Sequence, residues 1–287
     1  MNRKMSKGEK VFQVINYTLL LLLIFVCIYP MWYVVVCSFS DSWALMGHRG
    51  ILLWPLKFTV VAYERVFSNE LIWKGYTNTI VLLAVGLFFQ MIMTILGAYF
   101  FSRPNVLYRR PLMLMITFTM FFGGGLIPTY LNIRDFNLDG TMWGLVIPFC
   151  ISTFNMIILR TSFESIPSSL TEAAQIDGAS HWTVLWKIVL PLSKATLAVI
   201  ALYYGVGTWN SWFWATVLLR DRSKLPLQAI LRHIIVSNAM DGMDSGMPAS
   251  ESIKYAAITV ATVPILCVYP FLQKYFTQGV MIGAVKE

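Results

Sequence analysis

Charge is what this sequence has least of. Of its 287 residues only 13% are Asp, Glu, Lys or Arg, while 57% are apolar and 15% aromatic, and mean hydropathy is +0.65. Soluble domains carry roughly a quarter charged residues, so the balance excludes one and reads as an integral membrane protein. Cysteine is scarce too. Cys27, Cys37, Cys150 and Cys267 lie in or at the ends of apolar stretches with no C-x-x-C pair, as small hydrophobes do, and not as a disulfide framework or metal site. The three histidines (His48, His181, His233) are scattered and lack metal-ligand spacing. No G-x-x-x-x-G-K-[ST] loop and no nucleophile elbow occurs, so the expectation is a chain that is not an enzyme and holds no ATP in the usual cradle. Low-complexity segments and internal repeats are lacking as well.

Long apolar stretches are abundant. A helix needs about 20 apolar residues to cross the hydrocarbon, and six stretches qualify, near 11–37, 76–101, 111–131, 142–162, 192–219 and 253–275. They are expected to form one transmembrane domain over 1–287, with no separate soluble domain. The run from Val11 to Cys37 has no A-x-A site and is too long for a cleaved leader, so it is expected to remain as the first span. The net charge of +8 reads as basic residues flanking spans, facing anionic head groups, and not as a nucleic-acid surface. Arg3, Lys4, Lys7 and Lys10 precede the first span, and Arg103, Arg109 and Arg110 fill the loop at 102–110. That places both segments, and with six spans both termini, in the cytoplasm. The longer segments 38–75 and 220–252 each carry four Lys or Arg, but long loops translocate largely regardless of charge.

A polar interruption at 163–190 breaks this pattern. Ser169-Leu170-Thr171-Glu172 has capping-box spacing. Ala173 and Ala174 favour helix and have almost no bulk, so a partner's groove can approach the backbone. Asp177-Gly178 is a helix stop, because glycine takes the left-handed conformation there. Ser180 can cap a second short helix, and Pro191 leads into the next span. The segment therefore predicts a helix–turn–helix lying on the membrane surface, on the cytoplasmic side given the orientation above.

Glu172-Ala173-Ala174, three residues, Gly178, nine residues, then Ile188, Leu190 and Pro191 resemble the coupling motif of membrane subunits of binding-protein-dependent ABC importers. GGLIPTY (124–130), LPLS (190–193), WNSWF (209–213), LPLQ with a following LR (225–232) and GVMIGAVKE (279–287) extend the likeness along most of the chain. They are similar to the maltose-type carbohydrate permeases, in the branch that handles complex oligosaccharides with a lipoprotein receptor. The resemblance implies an all-α, polytopic membrane protein of the type I importer fold, with six transmembrane helices and a cytoplasmic coupling helix. It implies that Glu172, Ala173, Ala174, Asp177, Gly178, Ile188, Leu190 and Pro191 couple to an ATPase. It also implies partners: a homologous second permease subunit, two ATP-binding subunits carrying ATP and Mg, an extracellular sugar-binding lipoprotein and membrane lipid, in a bacterial cell membrane. No cofactor of this chain itself, and no nucleic acid, is implied.

The spans carry no Asp, Glu, Lys or Arg away from their ends. Ion-coupled carriers place ionisable groups at mid-membrane, so an external energy source is the stronger reading; an ion-coupled carrier, or an importer subunit for a non-sugar solute, is the alternative. Gln90, Asn155, Tyr204, Trp209, Asn210 and Trp212, with Ser152 and Tyr203 near them, are the candidate sugar path. Sugars offer hydroxyls to amides and C–H faces to rings, although the same residues serve equally as packing glue between helices. Gly123-Gly124-Gly125 followed by Pro128 suits either a packing kink or a pore-facing break. Trp43, Trp54 and Trp73 fit interfacial anchors. In 220–252, Pro226 to Val236 has amphipathic spacing, and Asn238 to Pro248 reads as flexible and polar. By resemblance, Asp241, Gly242, Asp244, Ser245 and Gly246 form a loop that faces the receptor; as residues alone they suit a plain connector too.

Overall fold

The computed structural model describes residues 6–244 and 251–284, and every regular element among them is helical. Two compact units are present, Met1–Asn69 with His233–Val263, and Glu70–Arg232 with Pro264–Glu287.

The first unit opens with α1 (Lys7–Ser38), 32 residues started by a capping box in which Ser6 and Glu9 satisfy each other's amides at 3.2 and 2.7 Å. Most of its side chains from Val11 to Met31 are exposed, as on a surface that meets lipid or a partner subunit. Beyond it the chain folds back: the Ser40 hydroxyl donates to the Val36 carbonyl at 2.7 Å and accepts the Leu56 amide at 3.0 Å. Asp41 caps the helix Ser42–Gly47 through the Ala44 amide, and a second short helix, Val61–Ser68, follows. The Ser42 and Ser252 hydroxyls meet at 2.6 Å, and Tyr33 and Tyr255 pack edge to face. Trp43 and Trp54 of this unit are exposed, as is Trp73 of the other.

The second unit is built on α2 (Glu70–Ser102), 33 residues long. The expected span 111–131 is not one helix. α3 (Arg109–Phe121) and α4 (Leu126–Asp135) are bent by 115° at the glycine triplet, where Gly125 has φ +84. Only a residue without Cβ holds that conformation cheaply, so the triplet makes a sharp break and not a gentle kink. The expected span 142–162 is likewise divided: Trp143–Phe149 and α5 (Thr153–Glu164) meet at 48°. After α6 (Ser168–Ile176), the stretch His181–Leu192 meets α7 (Lys194–Trp209) at 84°, and Phe213–Leu218 completes the expected 192–219 segment. Among the described residues two helices, α1 and α2, are long and apolar enough to cross a membrane unbroken, and each bent pair passes the same test as a pair. The helix expected at 226–236 is α8 (Leu227–Asp244), and 253–275 falls inside α9 (Glu251–Ala284).

The core of the second unit joins α2, α5 and α7. Ala98 and Phe101 meet Met156, Leu159 and Phe163, with Ile200 and Tyr204 closing the third side. Within a bilayer, tail-to-side-chain transfer gives helices little drive to associate, so such a core rests on close packing and interhelical hydrogen bonds.

Candidate functional site

The segment at 163–190 begins differently from its local spacing. Pro167 stands at the N-cap and starts α6 at Ser168, so Ser169 is already inside the first turn and its capping box with Glu172 does not form. A proline that fixes φ at the helix entrance wins over a side-chain cap. The other end matches expectation. Gly178 has φ +80, its amide donates to the Gln175 carbonyl at 3.0 Å, and the Ala179 amide reaches Ala174 at 2.9 Å. These are the paired bonds of a Schellman closure, and Ala174 with Ala179 packs against the core. Ser180 caps His181–Val184, accepting the Thr183 amide at 3.2 Å.

The motif divides into an exposed face and a buried root. Glu172, Ala173, Asp177 and Gly178 are exposed, and Ile176 is 86% exposed. Val184, Leu185, Val189 and Leu190 are buried among α2, α5 and α7, and Ile188 is half-buried. The Tyr99 hydroxyl also donates to the His181 carbonyl at 3.1 Å. Leu185–Val189 is a π-turn just before Pro191, which has no amide to offer the carbonyl of Lys187. The 84° bend follows at Ser193, whose buried hydroxyl has no partner among the described residues. An exposed helix is thus joined through a buried root to α2, α5 and α7.

The second feature is a cavity of about 690 Å³ between α2, the 145–155 segment and α7. Gln90, Asn155 and Tyr204 line it, together with Ser152, Thr208 and Trp214. The break before α5 leaves backbone groups without helical partners, and two of the candidates supply them. The Gln90 Nε2 donates to the Phe149 carbonyl at 3.3 Å. The Tyr204 hydroxyl accepts the Ser152 amide at 2.8 Å and shares a 2.7 Å hydrogen bond with Thr94. Non-helical backbone at membrane depth persists only where such partners exist, so both side chains hold the fold as well as line the space. What remains open is the Gln90 Oε1, buried without a partner, and the Asn155 side chain, 5% exposed with no side-chain bond among the described residues. An unengaged amide and carbonyl oxygen, flanked by a tryptophan and a phenylalanine, suit a hydroxylated solute with apolar faces.

Trp209, Asn210 and Trp212 do not line this cavity. Trp209 lies 6.4 Å from the Tyr76 ring, its Nε1 buried without a partner among the described residues. Asn210 closes the end of α7 by donating to the Val206 carbonyl at 2.9 Å. Trp212 lies beneath the Arg232 guanidinium, 3.7 Å from the ring centre. Periodicity held the signal that composition missed: Tyr204 and Thr208 stand four residues apart on the face of α7 that lines the cavity, while Trp209 falls off that face and Asn210 and Trp212 lie beyond the helix end.

The segment leading to α8 is tied to α2. Asn78 donates to the Ser223 and Leu225 carbonyls at 2.8 and 3.1 Å, and the Leu227 amide donates to Thr79 at 2.8 Å. Asp221 caps the turn Arg222–Lys224; hydrogen bonds from the Ser223 hydroxyl and amide hold its carboxyl below the ordinary range. The expected flexible stretch after Val236 is not seen as such. α8 continues to Asp244 and takes in Asp241, Gly242 and Asp244, because Ala239, Met240 and Met243 are strong helix formers with a single glycine among them. Ser245 and Gly246 lie outside the described residues.

Comparison with known proteins bears on both features. Residues 94–282 match the family described as binding-protein-dependent transport system inner membrane component. The chain is similar to the polygalacturonan/rhamnogalacturonan transport system permease protein YtcP of Bacillus subtilis (strain 168), 40% identical over 97% of this chain and 99% of that one. It is similar to the maltodextrin transport system permease protein MalD of Streptococcus pneumoniae, 26% identical over the whole of both. Among solved structures, a chain of a bacterial ABC transporter that imports the acidic polysaccharide alginate superposes with a TM-score of 0.86 at 36% identity, covering 96% of this chain and 100% of that one.

Proposed function

Because this chain belongs to the family of inner-membrane components of binding-protein-dependent transport systems, we propose that it forms half of the pore of an ATP-driven sugar importer whose cargo is an oligosaccharide of acidic sugars. The full-length likeness to a polygalacturonan/rhamnogalacturonan permease carries this reading. The cavity supports it: its lining is uncharged, polar and aromatic, with Asn155 and the Gln90 oxygen unengaged. Arg232, stacked on Trp212 and without an acidic partner among the described residues, is a further cation within the same unit that can attract a carboxylated sugar.

In this reading a homologous permease supplies the other half of the pore. Two ATP-binding subunits with ATP and Mg dock on the α6 face, from the cytoplasm, and an extracellular lipoprotein delivers the sugar. Closure of the ATPase pair pushes α6; the buried root at 184–190 passes the displacement to α2, α5 and α7, and the pore opens outward. Hydrolysis resets it. Glu172, Ala173, Asp177 and Gly178 form the docking face, Ala174 joins it to the root formed by Ile188 and Leu190, and Pro191, exposed, ends that root.

The test is reconstitution of the complete complex in liposomes, with uptake of labelled oligogalacturonide compared with maltodextrin. ATP-dependent uptake of the acidic sugar alone is expected. Preference for the neutral sugar would remove the acidic assignment. Uptake by this chain alone under an ion gradient would replace the importer by a secondary carrier.

A further inference from the structure

We infer that the pocket at the start of α3 is a binding site for an anionic phospholipid, recognised through its phosphate. The pocket, about 840 Å³, lies between the 104–108 turn, the first turns of α3 and Arg160 of α5. Three guanidiniums converge on it, Arg109, Arg110 and Arg160. They share one carboxylate: Glu164 accepts from both Arg109 and Arg160. Arg160 also donates to the Phe101 carbonyl at 3.2 Å. Arg110 is exposed and has neither an ion pair nor a hydrogen bond among the described residues. The site thus keeps an excess of positive charge and one guanidinium whose donor fork is free, the group that matches a phosphate's paired oxygens.

Apart from the hydroxyls of Tyr108 and Thr117, the rest of the lining is apolar. Met113 and Leu114 continue the wall along α3, which buries none of its residues within this chain, and Leu114 is 75% exposed. A cationic recess opening onto an exposed apolar helix in an inner-membrane protein fits an amphiphile with an anionic head better than a free anion. Basic pockets between membrane helices near the surface bind such head groups. The location gives the site a consequence. Glu164 ends α5, and only Ser165 to Pro167 separate it from α6, so a lipid phosphate bridging Arg110 to Arg109 and Arg160 would brace α3 against the base of α6.

The experiment uses the assembled complex in phosphatidylcholine nanodiscs doped with phosphatidylglycerol. Lipid retained after delipidation is counted by native mass spectrometry. Wild type is expected to retain phosphatidylglycerol over phosphatidylcholine. Arg110→Gln should lower that retention roughly five-fold, the effect of one basic residue at a membrane surface, and Arg110→Lys should restore part of it. Arg222→Gln, an exposed arginine elsewhere, should change nothing. Because Arg110 has no internal contact to lose, misfolding does not confound the variant. Equal retention in wild type and Arg110→Gln overturns the proposal, as does an equal drop in Arg222→Gln. Displacement of the lipid by inorganic phosphate at low millimolar levels, with no preference between the two lipids, would reassign the pocket to a free anion.

Discussion

Replacing Tyr204 by Phe separates a structural hydroxyl from a sugar contact. The ring stays, and at 6% exposure its packing is unchanged, so no cavity is made. Two hydrogen bonds go, the one accepted from the Ser152 amide at 2.8 Å and the one shared with Thr94 at 2.7 Å. Hydrogen bonds between membrane helices average about 0.6 kcal/mol and reach about 1.7. The Ser152 amide, part-buried at the break before α5, is also left without its tyrosine partner, and about 1–3 kcal/mol, the cost of stranding a fully buried donor, is the upper bound of that loss. The expected loss is therefore about 1–3 kcal/mol, seen as a lower unfolding midpoint of the purified complex in detergent, with uptake per folded complex unchanged. Thr94→Val should cost less on the Tyr204→Phe background than alone, because the two share one bond. Full stability with abolished uptake would refute the reasoning and make the hydroxyl a substrate contact.

The coupling turn gives a second prediction. No atom lies within 4 Å of a Cβ added at Gly178, so Gly178→Val costs only its left-handed backbone, about 1–2 kcal/mol or more for a β-branched residue. Uptake and stimulated ATP hydrolysis should fall at normal membrane levels, and Gly178→Asn, which tolerates that conformation, should fall less; equal activity of all three removes the turn from the mechanism. The cavity gives a third. Asn155→Leu should reduce uptake without loss of assembly, since its side chain makes no bond that holds the fold, whereas Asn210→Leu should leave uptake near wild type because that amide only caps the end of α7. Reversal of this order in a transport assay would place the path on the other side of α7.

Much of the local structure at 163–190 was legible because its signals are local. Gly178 needs a positive φ whatever surrounds it, and Ser180 needs only the amide three residues on; both behave as their spacing predicts. The capping box at Ser169 was equally local and failed, because Pro167, just upstream, set a competing start. The break at Gly123–Gly125 was visible as a weak point, but its 115° angle was not, since an angle depends on what the two halves pack against.

The sequence by itself determined the membrane character, the apolar stretches and the positions of the turns, because hydropathy and backbone freedom belong to each residue before any contact is made. Tertiary structure decided the cavity. Whether a polar side chain holds the fold or awaits a solute depends on whether a backbone group stands opposite it. The break before α5 puts the Phe149 carbonyl and the Ser152 amide in front of Gln90 and Tyr204, and leaves the Asn155 side chain without a hydrogen bond among the described residues. Aromatic composition at Tyr204 and Trp209 could not reveal which of the two turns inward, because facing follows from helix rotation in the assembled core and not from residue type.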